Sequence, residues 1–186
     1  MSILAERLLE VHRALDAAGM PHAFGGAIAL AYCTEEPRGT RDLDVNVFVD
    51  PRQAPVVLAS LPPGVSVSAK DIERAIAEGQ VRVWWEETPI DIFLDIHSFH
   101  EEVERGVLEV SFVNEKIPVL DGTALTVFKA LFDRTKDWAD IEEIVAAGAL
   151  DMSRAIDWLQ RLQGEGGPAA PRLAALANAP QTARRS

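Results

Sequence analysis

Residues 25–50 confine the chain more tightly than any other stretch, because within them two glycines are followed by a helix-like apolar run and then by alternation at strand period. The apolar pair Ala23 and Phe24 stops at Gly25-Gly26, and an unbroken apolar run from Ala27 to Ala31 follows. Glycine reaches positive φ and lets backbone approach a bulky ligand, so a strand meeting two of them can turn sharply into a helix. The first N–H groups of that helix lack partners and sit at its positive dipole end, which predicts an anion site able to take a phosphate. Downstream, Asp42, Asp44 and Asn46 alternate with Leu43, Val45, Val47 and Val49. Period two puts the polar members on one face of a half-buried strand. Two carboxylates so placed stand roughly 6–7 Å apart along the strand. They can grip one divalent cation or bracket two, and would repel each other without one.

Around this unit, apolar spacing predicts helices over 3–18, 51–63, 71–78 and 98–104, and strands over 80–85, 90–96, 107–113 and 116–120. Residues 86–89 read as the turn of a hairpin. Trp84 and Trp85 alternate faces, so one is buried and the other exposed or covered, with core packing favoured over a base-stacking platform. Leu125, Phe128, Leu131, Phe132, Trp138, Ile141, Ile144 and Val145 recur at helical spacing and make 123–146 one amphipathic helix or two. On that surface Asp133 with Lys136, and Lys136 with Asp140, read as ordinary exposed pairs of ~0.3–0.5 kcal/mol each. A helix over 153–162 follows. Gly164 to Pro168 read as a linker, 171–179 as a short Ala-rich helix, and 181–186 as a fraying tail.

A chain of 186 residues that is 48% apolar suffices for one α/β domain with a real core. No apolar run approaches the roughly 20 residues that span a bilayer, and residues 1–6 lack the basic start of a secretion signal. A cytoplasmic protein with no membrane partner is expected. Cys33 is the only cysteine, which excludes an intrachain disulfide and a cysteine zinc site, and it is expected to pack inside the helix after Gly26. His97 and His100 have a spacing that suits a metal on a helix, yet no matching second pair appears, and His12 and His22 are remote in sequence. A net charge of −11 argues against a broad nucleic-acid binder. A local basic rim of Arg38, Arg41, Lys129, Arg134 and Lys136 remains compatible with that total, and the acidic remainder suits a basic partner.

Strand, diglycine, helix, a polar loop with Arg38, Thr40 and Arg41, and a strand opening with Asp42 and Asp44 together resemble the polymerase-β-like nucleotidyltransferase superfamily. More narrowly, the chain resembles the AbiEii-type toxin nucleotidyltransferases of toxin–antitoxin systems. Three segments carry that likeness: 38–44 (RGTRDLD), 89–94 (PIDIFL) and 129–140 (KALFDRTKDWAD). It spans about residues 5–146. The resemblance implies an α+β fold, a mixed twisted sheet flanked by helices with a helical C-terminal part. It divides the chain into a catalytic core over 1–120, a helical part over 121–163, and a linker, short helix and tail over 164–186.

The same resemblance implies a third carboxylate on a neighbouring strand, Asp91 ahead of Asp95. It implies two Mg²⁺ ions bridged by Asp42 and Asp44, with Asp91 on the catalytic ion, and an NTP as co-substrate. Gly25, Gly26, Arg38, Thr40 and Lys129 would hold the nucleotide. A downstream Asp would complete the site, with Asp137 matching the family position and Asp140 as its competitor. Thr40 corresponds to a Ser or Thr that is a regulatory modification site in some relatives, so its phosphorylation is an expectation. The implied activity is transfer of a nucleoside monophosphate to the 3′ end of RNA, with tRNA as the expected substrate, under control of a cognate antitoxin. A small-molecule or protein hydroxyl as acceptor, and a non-catalytic interaction domain, are the alternatives.

Overall fold

The two glycines end strand β1 (His22–Phe24) and open helix α2 (Gly26–Thr34), as the apolar pattern requires. The computed structural model describes residues 2–37 and 39–178. Ahead of this unit lies α1 (Ile3–Ala17), whose first turn is capped by Ser2 Oγ accepting from the Ala5 N–H at 3.2 Å. Strand β2 (Leu43–Val47) follows, with Asp42 just before it. The next elements are α3 (Ala54–Ala59), β3 (Val65–Ser66), α4 (Ala69–Glu78), β4 (Gln80–Trp85), β5 (Thr88–Leu94) and α5 (Phe99–Arg105). The hairpin β6 (Leu108–Phe112) and β7 (Glu115–Val119) leads into α6 (Gly122–Phe132), α7 (Thr135–Ala147), α8 (Met152–Gln163) and α9 (Ala169–Asn178).

Among the described residues the seven strands form one sheet in the order β3-β4-β5-β2-β1-β7-β6. It is mixed. The hairpins and the β1–β2 pair are antiparallel, whereas β2 runs parallel to β5 and β1 parallel to β7. Fully buried side chains from α1 (Leu8, Leu15), β1 (Phe24), β2 (Leu43, Val45, Val47), β5 (Ile90, Ile92) and β7 (Ile117, Val119) fill the core. No helix among the described residues is long and apolar enough to cross a membrane.

Several elements depart from the sequence expectations for local reasons. The predicted helix over 51–63 splits into a 3-10 turn over Pro51–Gln53, capped by Asp50, and α3, which ends ahead of Pro62-Pro63, two residues with no N–H to continue it. The short β3 was not foreseen. The β4–β5 turn is two residues, Glu86 and Glu87, with Trp85 paired to Thr88, and β5 ends at Leu94 rather than Ile96. Residues 123–146 divide at Asp133, whose φ of +53° stops one helix and re-aims the next. Beyond the Gly-rich connection, α9 buries Ala169, Ala170 and Leu173 and packs on α6, α7 and α8. The expected fraying of 181–186 lies outside the described residues.

Trp84 is exposed, while Trp85 is half-buried beneath the Arg7 guanidinium, 5.3 Å from its ring centre. Cys33 is half-buried, and burial together with the nearby Asp121 charge pushes its thiol up to about 11. His100 is buried against the Phe128 ring and near Asp95, its pKa lowered mainly by burial. It is a packed core histidine.

Candidate active site

Strands β2 and β5 are parallel and in register, with Asp44 directly opposite Asp91. Residues paired in this way on neighbouring strands project from the same face of the sheet. Together with Asp42, they line a cavity of ≈ 210 Å³ whose wall also includes Gly25, Gly26, Thr40, Lys129, Asp137 and Asp140. Asp95 follows the end of β5. Its N–H donates to the Val49 carbonyl at 3.0 Å, its carboxylate lies 3.5 Å from His100 Nδ1, and it is absent from the cavity lining.

The diglycine turn and the carboxylate strand are locked together. The Gly25 N–H donates to the Asp44 carbonyl at 2.8 Å. Gly26 has a φ of +50°, and a Cβ on it would lie 1.8 Å from Asp44 Oδ2. Glycine is required there twice over, for its backbone conformation and for the room it leaves the carboxylate.

Burial beside the carboxylates of Asp42 and Asp91 pushes Asp44 up to about 6, with Lys129 and Lys136 partly offsetting the rise. Asp91 is held by Arg82, its register partner on β4, through Nε at 2.7 Å and Nη2 at 2.6 Å. Asp42 accepts from the Thr40 hydroxyl at 2.5 Å. Engaged in these contacts, the three carboxylates do not converge: among the described residues no three His, Cys, Asp or Glu side chains form a group that could hold a metal ion.

Lys129 comes from α6, and its Nζ donates to Asp140 Oδ2 at 2.6 Å and lies 3.7 Å from Asp137 Oδ1. Both acids of α7 therefore surround the lysine, Asp140 more closely. Asp137 is fully buried and accepts from Arg134 Nε at 2.6 Å and Nη2 at 3.1 Å. Burial alone would raise its pKa, but the Arg134 hydrogen bonds and charge, with Lys129 added, hold it below the ordinary value. Asp133 has other partners than the Lys136 expected of it. The bend at Asp133 turns that carboxylate to Trp138 Nε1 at 2.6 Å and Arg172 Nη1 at 3.2 Å, and Lys136 faces the cavity.

Arg38 lies outside the described residues, and Arg41 is exposed and absent from the cavity lining. Sequence reading placed Asn46 on the carboxylate face, where it lines the cavity, but missed Arg82 and the aromatic wall of Phe93, Phe128 and Phe132. The alternation of Gln80, Arg82 and Trp84 along β4 signals a shared face, but only the strand register reveals what that face meets. It also missed that His12 and His22 meet, Nδ1 to Nε2, at 2.9 Å in a separate surface hollow.

No family model matches the chain, and no curated protein matches it. Solved structures do. The antibiotic-resistance factor ANT(2'')-Ia in solution aligns with a TM-score of 0.59 and 13% identity, over 94% of this chain and 95% of that one. ANT(2'')-Ia in complex with adenylyl-2''-tobramycin gives 0.58 and 12% identity, over 95% and 96%. A nucleotidyltransferase-like antigenic protein from Paracoccidioides brasiliensis gives 0.51 and 16% identity, over 96% and 94%. The chain has the mixed α+β fold of these structures.

Proposed function

We propose that this nucleotidyltransferase-like fold carries a metal-dependent nucleotidyltransferase, which moves a nucleoside monophosphate from an NTP to a hydroxyl. The observation that supports it most is the register of Asp44 with Asp91, with Gly26 against the Asp44 carboxylate and Lys129 lining the same cavity. An oxygen-only donor set of Asp42, Asp44 and Asp91 suits Mg²⁺. The raised Asp44 carboxyl marks crowded negative charge that a cation would relieve. Ions there would compete with Arg82 for Asp91 and with the Thr40 hydroxyl for Asp42. Two Mg²⁺ held there would supply hydroxyl activation and neutralise charge on the triphosphate.

The chain's own groups account for the remaining work. The turn at Gly25-Gly26 and the first turn of α2 receive phosphate oxygens. Lys129, oriented by Asp140 and Asp137, sets a cation against the triphosphate. The acceptor oxygen bonds to the α-phosphorus as the bond from that phosphorus to its bridging oxygen breaks. The hydroxyl proton passes to Asp91 or to solvent, and pyrophosphate leaves.

For the acceptor we assign the 3′ end of RNA, with tRNA acceptor ends as the substrate and blocked translation as the outcome. On this reading the protein is an AbiEii-like toxin held in check by a cognate antitoxin. Segments 38–44 and 129–140 support it, as do the cations Lys129, Arg134 and Lys136 around the cavity despite the net charge of −11. A small-molecule hydroxyl is the second reading, favoured by ANT(2'')-Ia matching the chain through its helical C-terminal part as well. The test is incubation with each of the four α-labelled NTPs, Mg²⁺ and total RNA. Label on RNA that disappears in Asp44→Asn and Asp91→Asn supports the first reading, and label only on small molecules supports the second. Absence of label and of pyrophosphate release with every NTP overturns both.

Thr40 is the proposed regulatory site. A phosphate on the hydroxyl that now donates to Asp42 would add up to two negative charges beside the metal-binding acids and exclude the triphosphate. Mass spectrometry of protein produced with its partner checks this, the expected outcome being a fraction phosphorylated at Thr40.

A further inference from the structure

A second cleft, of ≈ 280 Å³, adjoins the cavity on the β4 side and shares Asp44, Asp91, Arg82 and Arg134 with it. Arg74 and Glu78 of α4 border it as well. The two hollows meet at Asp91, whose side chain is 17% exposed, whereas that of Arg82 is 50% exposed. The sheet therefore carries four groups in sequence across neighbouring strands: Gly26 beside β1, Asp44 on β2, Asp91 on β5 and Arg82 on β4. In-line displacement needs the attacking oxygen and the departing pyrophosphate on opposite sides of the α-phosphorus. With the triphosphate at the Gly26 and Lys129 side, the acceptor approaches from the side of Arg82.

Three guanidinium groups, Arg74, Arg82 and Arg134, border this approach. Arg74 makes an exposed contact with Glu78 at 3.8 Å, a pair of little strength. Arg82 is held only as long as Asp91 accepts from it. Once Asp91 turns to a metal, Arg82 is left charged, with a planar fork of donors matched to phosphate. The cleft also carries Asp44, Asp91 and Glu78, so a cation held by Asp44 and Asp91 would tip its charge to positive and disfavour a polycationic acceptor.

We propose that this cleft is the acceptor subsite, that it takes a hydroxyl compound bearing a phosphate, and that Arg82 passes from Asp91 to that phosphate when a divalent cation takes Asp91. The proposal rests on the nucleotidyl-transfer reading and adds the chemical class of the acceptor. In metal-free protein Arg82 and the cation compete for Asp91. In loaded protein Arg82 grips the acceptor, while Arg134 stays with Asp137.

The test uses the full chain and two variants, Arg82→Ala and Arg82→Lys, with folding checked by circular dichroism. Mn²⁺ titration followed by electron paramagnetic resonance is expected to show about tenfold tighter binding in Arg82→Ala, with Arg82→Lys between it and the parent. Calorimetry with Mg²⁺ and each of the four α,β-methylene NTPs then follows binding of ribose 5-phosphate, a short oligoribonucleotide with a free 3′ hydroxyl, and tobramycin. A phosphate-bearing probe is expected to bind the parent and to lose about tenfold or more in Arg82→Ala. Binding of the oligoribonucleotide alone identifies RNA as the source of the phosphate, and binding of ribose 5-phosphate alone identifies a small molecule. The proposal is overturned if neither phosphate probe binds, if tobramycin binds in their place, or if Arg82→Ala leaves Mn²⁺ and probe affinities unchanged. Failure of Mn²⁺ and every nucleotide analogue to bind the parent sinks the nucleotidyl-transfer reading itself, a result distinct from loss of the phosphate probes alone.

Discussion

At Asp44, folding and chemistry pull in opposite directions. Its carboxyl is pushed up to about 6 in the folded protein by burial and by Asp42 and Asp91. The folded state therefore holds a proton that the unfolded chain releases near pH 4. Stability of the metal-free protein should fall as pH rises from about 4 to about 6, by up to roughly 2–3 kcal/mol, and then level off. Urea unfolding across that range checks it, and Asp44→Asn should flatten the curve while abolishing divalent-cation binding. Asp137 has the opposite sign: its lowered pKa contributes stability that is lost as pH drops below the ordinary carboxylate range. At Gly26, alanine would meet both a positive φ and the Asp44 carboxylate. The backbone conformation alone should cost about 1–2 kcal/mol, and the displaced carboxylate should remove nucleotide binding, measurable by calorimetry. Both residues were legible in the sequence, because a diglycine after an apolar strand and an Asp-x-Asp at period two are local patterns.

Among elements, the α6–α7 corner shows where local reading ran out. Apolar spacing over 123–146 is nearly continuous, and nothing in it marks Asp133 as a left-handed break. That break carries Asp137 into the interior, where Arg134 and Lys129 neutralise it. A solvated helix face was the natural reading of this charge run, and burial overturned it. Asp137→Asn should destabilise the protein by about 3–5 kcal/mol, because it strips a partner from a buried ionic cluster; thermal unfolding checks the value. Arg82 was hidden for a different reason. Its alternation along β4 was visible, but its partner is set by strand pairing with β5. The choice between Asp91 and Asp95 depended on the same pairing, since both share the parity of the strand.

For the whole molecule, strand order is the part least written in local pattern. The hairpins β4–β5 and β6–β7 follow from turns, whereas the parallel contacts β2–β5 and β1–β7 join segments distant in sequence. The C-terminal helix belongs to this assembly. Leu173 is fully buried and the Arg172 guanidinium sits 4.0 Å from the Trp138 ring centre, so α9 shields the helix that carries Asp137. Leu173→Ala should cost about 2–5 kcal/mol, and differential scanning calorimetry should show the loss as a lower Tm with one cooperative transition.

The parallel join of β2 to β5 has a temporal meaning too. Asp42 and Asp44 leave the ribosome well before Asp91, and Lys129 later still. No fragment that ends before Lys129 holds all four, so none can assemble the proposed site. Assembly of the cavity therefore has to wait until α6 has been made and has packed back against the sheet.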